Sequence, residues 1–364
     1  VKSDRQPGPR STRYRSNARF LFMNYPFDLH IVWFILVGFL FTGYAILDGF
    51  DLGVGAILLF AKGDLNRRIV LNSIGPVWNG NEVWLIVAGG ALFAAFPDVY
   101  ATVFSGFYLP FMLLLAGLIF RAAAIEFRSK EDSPHWRAGW DISFCVGSVL
   151  IALLIGVAMG NIIVGVPIGS DKEYQGGFFN LLNPYALITG VTTVALFTMH
   201  GSIYLVMKTE GELQQTVKGW VKNTMIFFGV SFGSLTMATF VFAPQMADKI
   251  RQHPWLFLLP LVTLLIIANV PREIARGKEG TAFLSSCLTI ASLLSLFGLG
   301  MFPRMVPSTA GSKFDLTIYN SSSSDASLTT MFSIALLGMP FVLAYTIAIY
   351  SVFNRKTSVK SMHY

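Results

Sequence analysis

Charge is scarce in this sequence. Of its 364 residues only 13% are Asp, Glu, Lys or Arg, against 54% hydrophobic and 14% aromatic, and the mean hydropathy is +0.59. Soluble domains carry about 25% charged residues to cover their surface. Half that charge leaves too much apolar surface for water, so the chain is read as an integral membrane protein. Cysteine is scarcer still. Cys145 and Cys287 both lie inside apolar runs, which excludes a disulfide framework and a cysteine-ligated zinc or iron–sulfur site. CxxC, P-loop, strand-borne GxGxxG and HExxH patterns are missing, so soluble redox and hydrolase chemistry has no support. Histidine numbers five. A membrane haem of b type needs an axial His, yet His30 sits at the edge of the first apolar run, and His135, His253 and His363 sit in loops or tails. Only His200, in LFTMHGSIYLV, lies within a run. A lone intramembrane His more often packs by hydrogen bonding than ligates iron. The chain is therefore expected to ligate no haem and no metal by itself.

What the sequence has in abundance is long apolar runs. A membrane-crossing helix needs about 20 mainly apolar residues to span about 30 Å of hydrocarbon. Nine runs fit, near 29–60, 75–97, 100–126, 140–164, 184–207, 219–243, 255–270, 281–302 and 329–353, the seventh ending at Pro271. They are continuously apolar, without the alternation of a transmembrane β-barrel. The expected fold is all-α, a polytopic bundle of about nine transmembrane helices.

Lys and Arg collect in cytoplasmic loops. Sixteen follow the odd-numbered runs, including Arg67, Arg68, Arg121, Arg128, Arg137, Arg272 and Arg276, and five follow the even-numbered ones. This predicts the N-terminus outside and the C-terminus in the cytoplasm. It also explains the excess of 27 basic over 20 acidic residues without invoking nucleic acid. Residues 1–22 break the rule, with six basic residues on the outer side. They read either as a disordered basic tail or as a start site placed too early. The charge rule favours Met23 as the first residue, leaving 23–364 as a single membrane domain.

Ionisable groups inside a span are costly, so each marks a pathway, a contact or a site. The first run holds Asp48 and Asp51 in AILDGFDLGVG. The second holds Asn79, Asn81 and Glu82 in SIGPVWNGNEVWLIVAGG. A spacing of three puts Asp48 with Asp51, and Asn79 with Glu82, on shared helix faces. With the orientation above, the three carboxylates fall in the cytoplasmic half, where buried acids suit proton uptake. For Asp51 a bracing role and a relay role stand equal, for Glu82 the relay is favoured, and cation coordination by Asp48 and Asp51 is a weaker third option. Gly49-x-x-x-Gly53, Gly156-x-x-x-Gly160 and Gly229-x-x-x-Gly233 suit close helix approach. The Ser-rich stretch 308–327 reads as a solvated outer loop and contains NSS at Asn320.

The same runs carry a family resemblance. LDGFDLGVG followed by SIGPVWNGNEVWLIVAGGALFAAFPDVYATVFSGFYLP resembles subunit II of cytochrome bd-type quinol oxidases, and within it Trp78, Gly80, Asn81 and Trp84 form the structural motif around the polar pair. LIFRAAAIEFRSK with Trp136 and Trp140, GVAMGNIIVGVP, FFNLLNPYALITG and MFPRMVPST extend the match from about residue 24 to the end. The resemblance implies a nine-helix subunit in the bacterial cytoplasmic (inner) membrane. Its implied partner is a homologous subunit I that ligates two b haems and one d haem and carries the quinol-oxidising loop. In some members a small single-span subunit or a structural quinone is added. Together the subunits oxidise quinol and reduce dioxygen to water with cytoplasmic protons. Asp48 and Asp51 match the family's DGFD signature. Asn79 stands where some members carry an Asp implicated in proton transfer. Asn cannot ionise, which leaves Glu82 to take over the relay.

Two other classes compete: an ion-coupled secondary transporter with buried carboxylates, and a purely structural subunit. Clear inverted repeats, a frequent mark of the former, are not evident. A partner bearing haem supports the oxidase, and a colourless chain that moves solute alone supports the transporter. For the start site, N-terminal sequencing of the native protein is expected to begin at Met23; a peptide from residues 1–22 would overturn that expectation.

Overall fold

A computed structural model describes residues 27–353 and 355–357. The expectation for residues 1–22 and the Met23 start falls outside the described residues. Twelve helices follow one another: α1 (Leu29–Ile57), α2 (Asp64–Ile74), α3 (Trp78–Ala95), α4 (Pro97–Gly106), α5 (Tyr108–Phe127), α6 (Pro134–Val164), α7 (Pro184–Lys208), α8 (Gly211–Phe242), α9 (Asp248–Gln252), α10 (Leu258–Ala275), α11 (Glu279–Met301) and α12 (Asp325–Val352). Two short antiparallel strands, β1 (Arg304–Val306) and β2 (Leu316–Thr317), lie between α11 and α12. Among the described residues eight helices are long and apolar enough to cross a membrane: α1, α5, α6, α7, α8, α10, α11 and α12. The second expected run forms α3, whose 18 residues begin with the polar WNGNE turn.

Three expectations about boundaries need correction. The run 100–126 is two helices, because α4 ends at Gly106 and α5 starts at Tyr108. Pro110 supplies the reason. In a continuous helix its ring would strike the Gly106 carbonyl, and it has no N–H to donate there. The run expected to stop at Pro271 continues through it to Ala275, with the proline inside α10. Such a proline is tolerated in a membrane helix when neighbours satisfy the freed carbonyl. α2 was not anticipated as an element. It is a short helix of mixed polarity that joins α1 to α3 at the end of the bundle bearing the basic loops.

α7 is the most buried spanning helix and packs against α1, α6, α8 and α11. The contact with α1 is backbone on backbone. A Cβ at Gly53 would fall 1.8 Å from the Phe197 carbonyl oxygen, and one at Gly201 would fall 2.4 Å from the Val54 nitrogen. Gly156 and Gly160 play the same part between α6 and α7, against Thr193, Gly190 and Ala186. Gly229 and Gly233 do not, since among the described residues nothing beyond their own stretch of helix lies within 4 Å of a Cβ built on either. The third glycine motif therefore serves no packing within the described residues.

The opposite end of the bundle is closed by two loops that hold each other. Val166 bridges Ser308, and the Ser308 hydroxyl donates to the Ile168 carbonyl at 2.7 Å. Lys172 pairs with Asp98 at 2.5 Å and donates to the Asn320 carbonyl at 3.1 Å. Ser323 donates through its hydroxyl to the Ala94 carbonyl at 2.6 Å. The Ser-rich stretch is thus a loop between α11 and α12, exposed along much of its length but tied down as a cap at Ser308 and Ser323. Ser308 and Ser323 bond to backbone carbonyls, Ser321 to the Asn320 side chain and Ser324 to Ser327. The Asn320 side chain is itself engaged, donating to the Asp315 carbonyl and accepting from the Thr317 N–H.

Replacing Gly201 by Leu is expected to cost about 3 kcal/mol, the upper range for overpacking a filled site, and to lower the thermal midpoint of the purified protein. Gly229→Leu, placed in open space, should leave the packing within the chain intact.

Candidate functional site: a buried ionic network

The polar turn of α1 is wholly internal. Asp48, Gly49, Phe50, Asp51 and the residues through Gly55 are all buried. What stabilises two carboxyl groups there comes from α5. Arg121, 1% exposed, donates through Nη2 to Asp48 Oδ1 at 2.5 Å and through Nη1 to Asp48 Oδ2 at 3.1 Å. This is the two-pronged fork that a guanidinium makes with a carboxylate. The same Nη2 lies 3.8 Å from Asp51 Oδ2. Asp51 Oδ2 also accepts from Asn81 Nδ2 at 2.8 Å, and Asn81 Oδ1 accepts from the Tyr350 hydroxyl at 2.7 Å. One network therefore joins α1, α5, α3 and α12. Asp51 Oδ1 and Arg121 Nε are buried with no hydrogen-bond partner.

The residues picked from the second run divide differently from expectation. Asn81 faces the aspartates and is 2% exposed. Asn79 is exposed on this chain and outside the network. Glu82 is half-buried, within Coulombic reach of Arg121 and Asp48, and forms no hydrogen bond or ion pair among the described residues. Trp84 is buried beneath Gly43, where an added Cβ would lie 2.3 Å from its ring, so this tryptophan fixes the distance between α1 and α3. Trp78 is half-buried against the core around α7, while Gly80 is exposed.

Two members of the network escaped the sequence reading. Arg121 was counted among loop cations, but it lies in the last third of α5 and is buried. The signal was present: it follows thirteen residues of an uninterrupted spanning helix, and the rule applied to the acids applies equally to a base. Tyr350, near the end of α12, carries no comparable signal, because Tyr is common at membrane interfaces.

A second ionic cluster lies at the same end of the bundle. Arg128 Nε donates to Asp141 Oδ1 at 2.6 Å and its Nη2 to Asp64 Oδ1 at 2.8 Å. Arg67 Nη1 reaches Asp141 Oδ2 at 3.0 Å, and Arg137 Nη1 reaches Asp64 Oδ2 at 3.3 Å. His200 behaves as a packing residue. Its Nε2 donates to the Ile46 carbonyl at 3.0 Å, its Nδ1 meets the Ser286 hydroxyl at 2.7 Å, and its ring stacks on Phe283. A carbonyl can only accept, so that contact fixes the proton on Nε2. Both ring nitrogens are engaged.

The chain that carries this network has known relatives. The family model for cytochrome bd terminal oxidase subunit II matches residues 29–353. The chain belongs to the cytochrome bd oxidase subunit II family. Curated relatives agree. Cytochrome bd-I ubiquinol oxidase subunit 2 of Escherichia coli is 37% identical over 90% of this chain and 95% of its own length. Cytochrome bd ubiquinol oxidase subunit 2 of Bacillus subtilis is 36% identical over 92% of this chain and 98% of its own length. A bd oxidase chain from Geobacillus thermodenitrificans shares the fold, with a TM-score of 0.75 over 89% of this chain and 98% of that one, at 14% identity. As a bd oxidase subunit II with eight apolar spanning helices, the chain is a multi-pass protein of the bacterial inner membrane.

One guanidinium faces two carboxyl groups here, so removing it is expected to be the most damaging change in the network. Arg121→Gln should destabilise the purified protein by about 3–5 kcal/mol, as breaking a buried pair does. Adding Asp48→Asn to it should recover much of the loss. Thermal unfolding in detergent checks both, and equal midpoints for Arg121→Gln and the native protein would reject the assignment.

Proposed function

We propose that this chain is the scaffolding and proton-conducting subunit of a quinol oxidase, assembled with a haem-binding subunit I. The complex oxidises quinol and reduces dioxygen to water. Haems b and d, held by the partner, supply the electron transfer and oxygen chemistry. This chain's residues supply structure and a route for protons from the side bearing the basic loops, which the charge rule makes the cytoplasm.

The observation that carries the proton role is the unequal environment of the acids. Asp48 has both oxygens in the Arg121 fork, so it serves as the brace. Asp51 keeps Oδ1 without a partner, an atom at which a proton can be held and passed on. Glu82, half-buried and without a hydrogen bond among the described residues, is suited to exchange protons with water and to hand them inward under the field of Arg121. Asn81 and Tyr350 orient Asp51 and close the network on the α12 side. Asn79, exposed and unable to ionise, holds no proton; its amide can only orient water near Glu82.

A purely structural subunit needs no titratable group at Glu82, which is where the two readings part. The relay predicts that Glu82→Gln slows oxygen reduction by about tenfold or more, in the range by which a positioned proton-transfer group contributes, with haem content and quinol binding intact. Unchanged turnover in a fully assembled Glu82→Gln complex would reject the route, while loss of haem would mark Glu82 as structural.

A further inference from the structure

The second ionic cluster encloses a cleft of about 270 Å³ lined by Asp64, Arg67, Arg128, Arg137 and Asp141. Three guanidinium groups and two carboxylates line it, and a third carboxylate, Asp132, pairs with Arg137 Nη2 at 2.7 Å at the exposed rim, so the cluster as a whole is charge-balanced. Every carboxylate is already paired. One donor is not: Arg128, whose side chain is 3% exposed, has Nη1 buried with no partner. Leaving such a donor unsatisfied is costly. The starts of α2 and α6 both contribute to the lining, at Gly63–Asp64 and at Pro134–Arg137, and the partial positive charge of a helix N-terminus favours an anion there.

The depth of the cleft narrows the ligand. Trp136 caps the end of α5 through its Nε1, which donates to the Phe127 carbonyl at 2.9 Å, and it packs edge-on against Trp140. Phe127, which directly precedes Arg128, and Trp136 are both exposed. Tryptophan at the edge of an apolar face marks the headgroup level of a bilayer. An arginine-lined cleft at that level with one buried donor unsatisfied, next to exposed rings that acyl chains can cover, has the two-part chemistry of a phospholipid.

We infer that this cleft binds a phosphate oxyanion, that of an anionic phospholipid headgroup in the leaflet at the basic end of the bundle. The phosphate oxygens accept from Arg128 Nη1 and from the rim guanidinium groups of Arg67 and Arg137. The inference stands apart from the oxidase reading, because it uses neither the Asp48–Arg121 network nor any partner.

Native mass spectrometry of the purified complex, delipidated and titrated with phosphatidylglycerol, phosphatidylcholine or inorganic phosphate, tests it. Phosphatidylglycerol should bind in preference to phosphatidylcholine. Arg137→Gln should weaken it about fivefold and Asp64→Asn should strengthen it about fivefold, the effect of one unit of charge at a membrane surface. Asp64→Asn keeps an acceptor for Arg128, so it is expected to fold. Inorganic phosphate that competes fully at equal concentration would assign the site to a free oxyanion, and failure to compete assigns it to lipid. Equal binding of the two lipids, or variants without effect, would overturn the inference. So would variants that alter retention of the partner subunit but not of lipid, which would make the cleft a protein interface.

Discussion

A guanidinium cannot be left alone in hydrocarbon. Arg121 is always charged, and its position within α5 obliges other helices to bring it counter-charge. α1 answers with two aspartates one turn apart, and α3 and α12 add Asn81 and Tyr350 around the second of them. Buried pairs of this kind contribute little net stability compared with well-packed apolar side chains. Their effect is on alternatives: any register that strands the arginine or either aspartate in lipid is several kcal/mol worse. The ion cluster therefore selects which helices meet, and the glycine contacts between α1 and α7 set how closely.

The two ends of the bundle solve the same problem by different chemistry. At the end with the basic loops, guanidinium–carboxylate pairs tie α2, α5 and α6 together around Asp141 and Asp64. At the other end the 166–175 and 303–324 loops close over the helices chiefly through backbone and hydroxyl hydrogen bonds, with Lys172–Asp98 the one ion pair of the cap among the described residues. This division follows the charge bias of the sequence. Where Lys and Arg are admitted, Asp is placed to meet them; where they are few, Ser, Thr and Asn satisfy the backbone instead.

That bias was legible in the sequence, and so were the apolar helices and the importance of the DGFD and NGNE turns. The partners were less so. Periodicity grouped Asn79 with Glu82, but it could not tell which face of α3 looks toward α1, and Asn81 is the residue that does. Arg121 lay inside the run 100–126 and was still counted with the loop cations that follow it, since an arginine near the end of an apolar stretch reads as a loop residue unless the helix is known to continue past it. The break at Phe107 was written in Pro110, but apolar composition on both sides masked it. The cap around Ser308 was missed because serine that bonds to backbone and serine that bonds to water look alike in composition.

α12 buries little beyond Leu328 and Thr329 inside the chain, yet it is pinned at both ends. Near its start the Leu328 carbonyl accepts from Trp33 Nε1, and near its end Tyr350 donates to Asn81. The two staples are 22 residues apart in the sequence, which at 1.5 Å per residue is about 33 Å, close to the thickness of a hydrocarbon core. The helix is thus held like a ruler against the bundle, its two staples about a hydrocarbon thickness apart and its outer flank uncovered by the other described residues. A thinner membrane has to be met by tilting the whole assembly, because this helix cannot slide without giving up a staple.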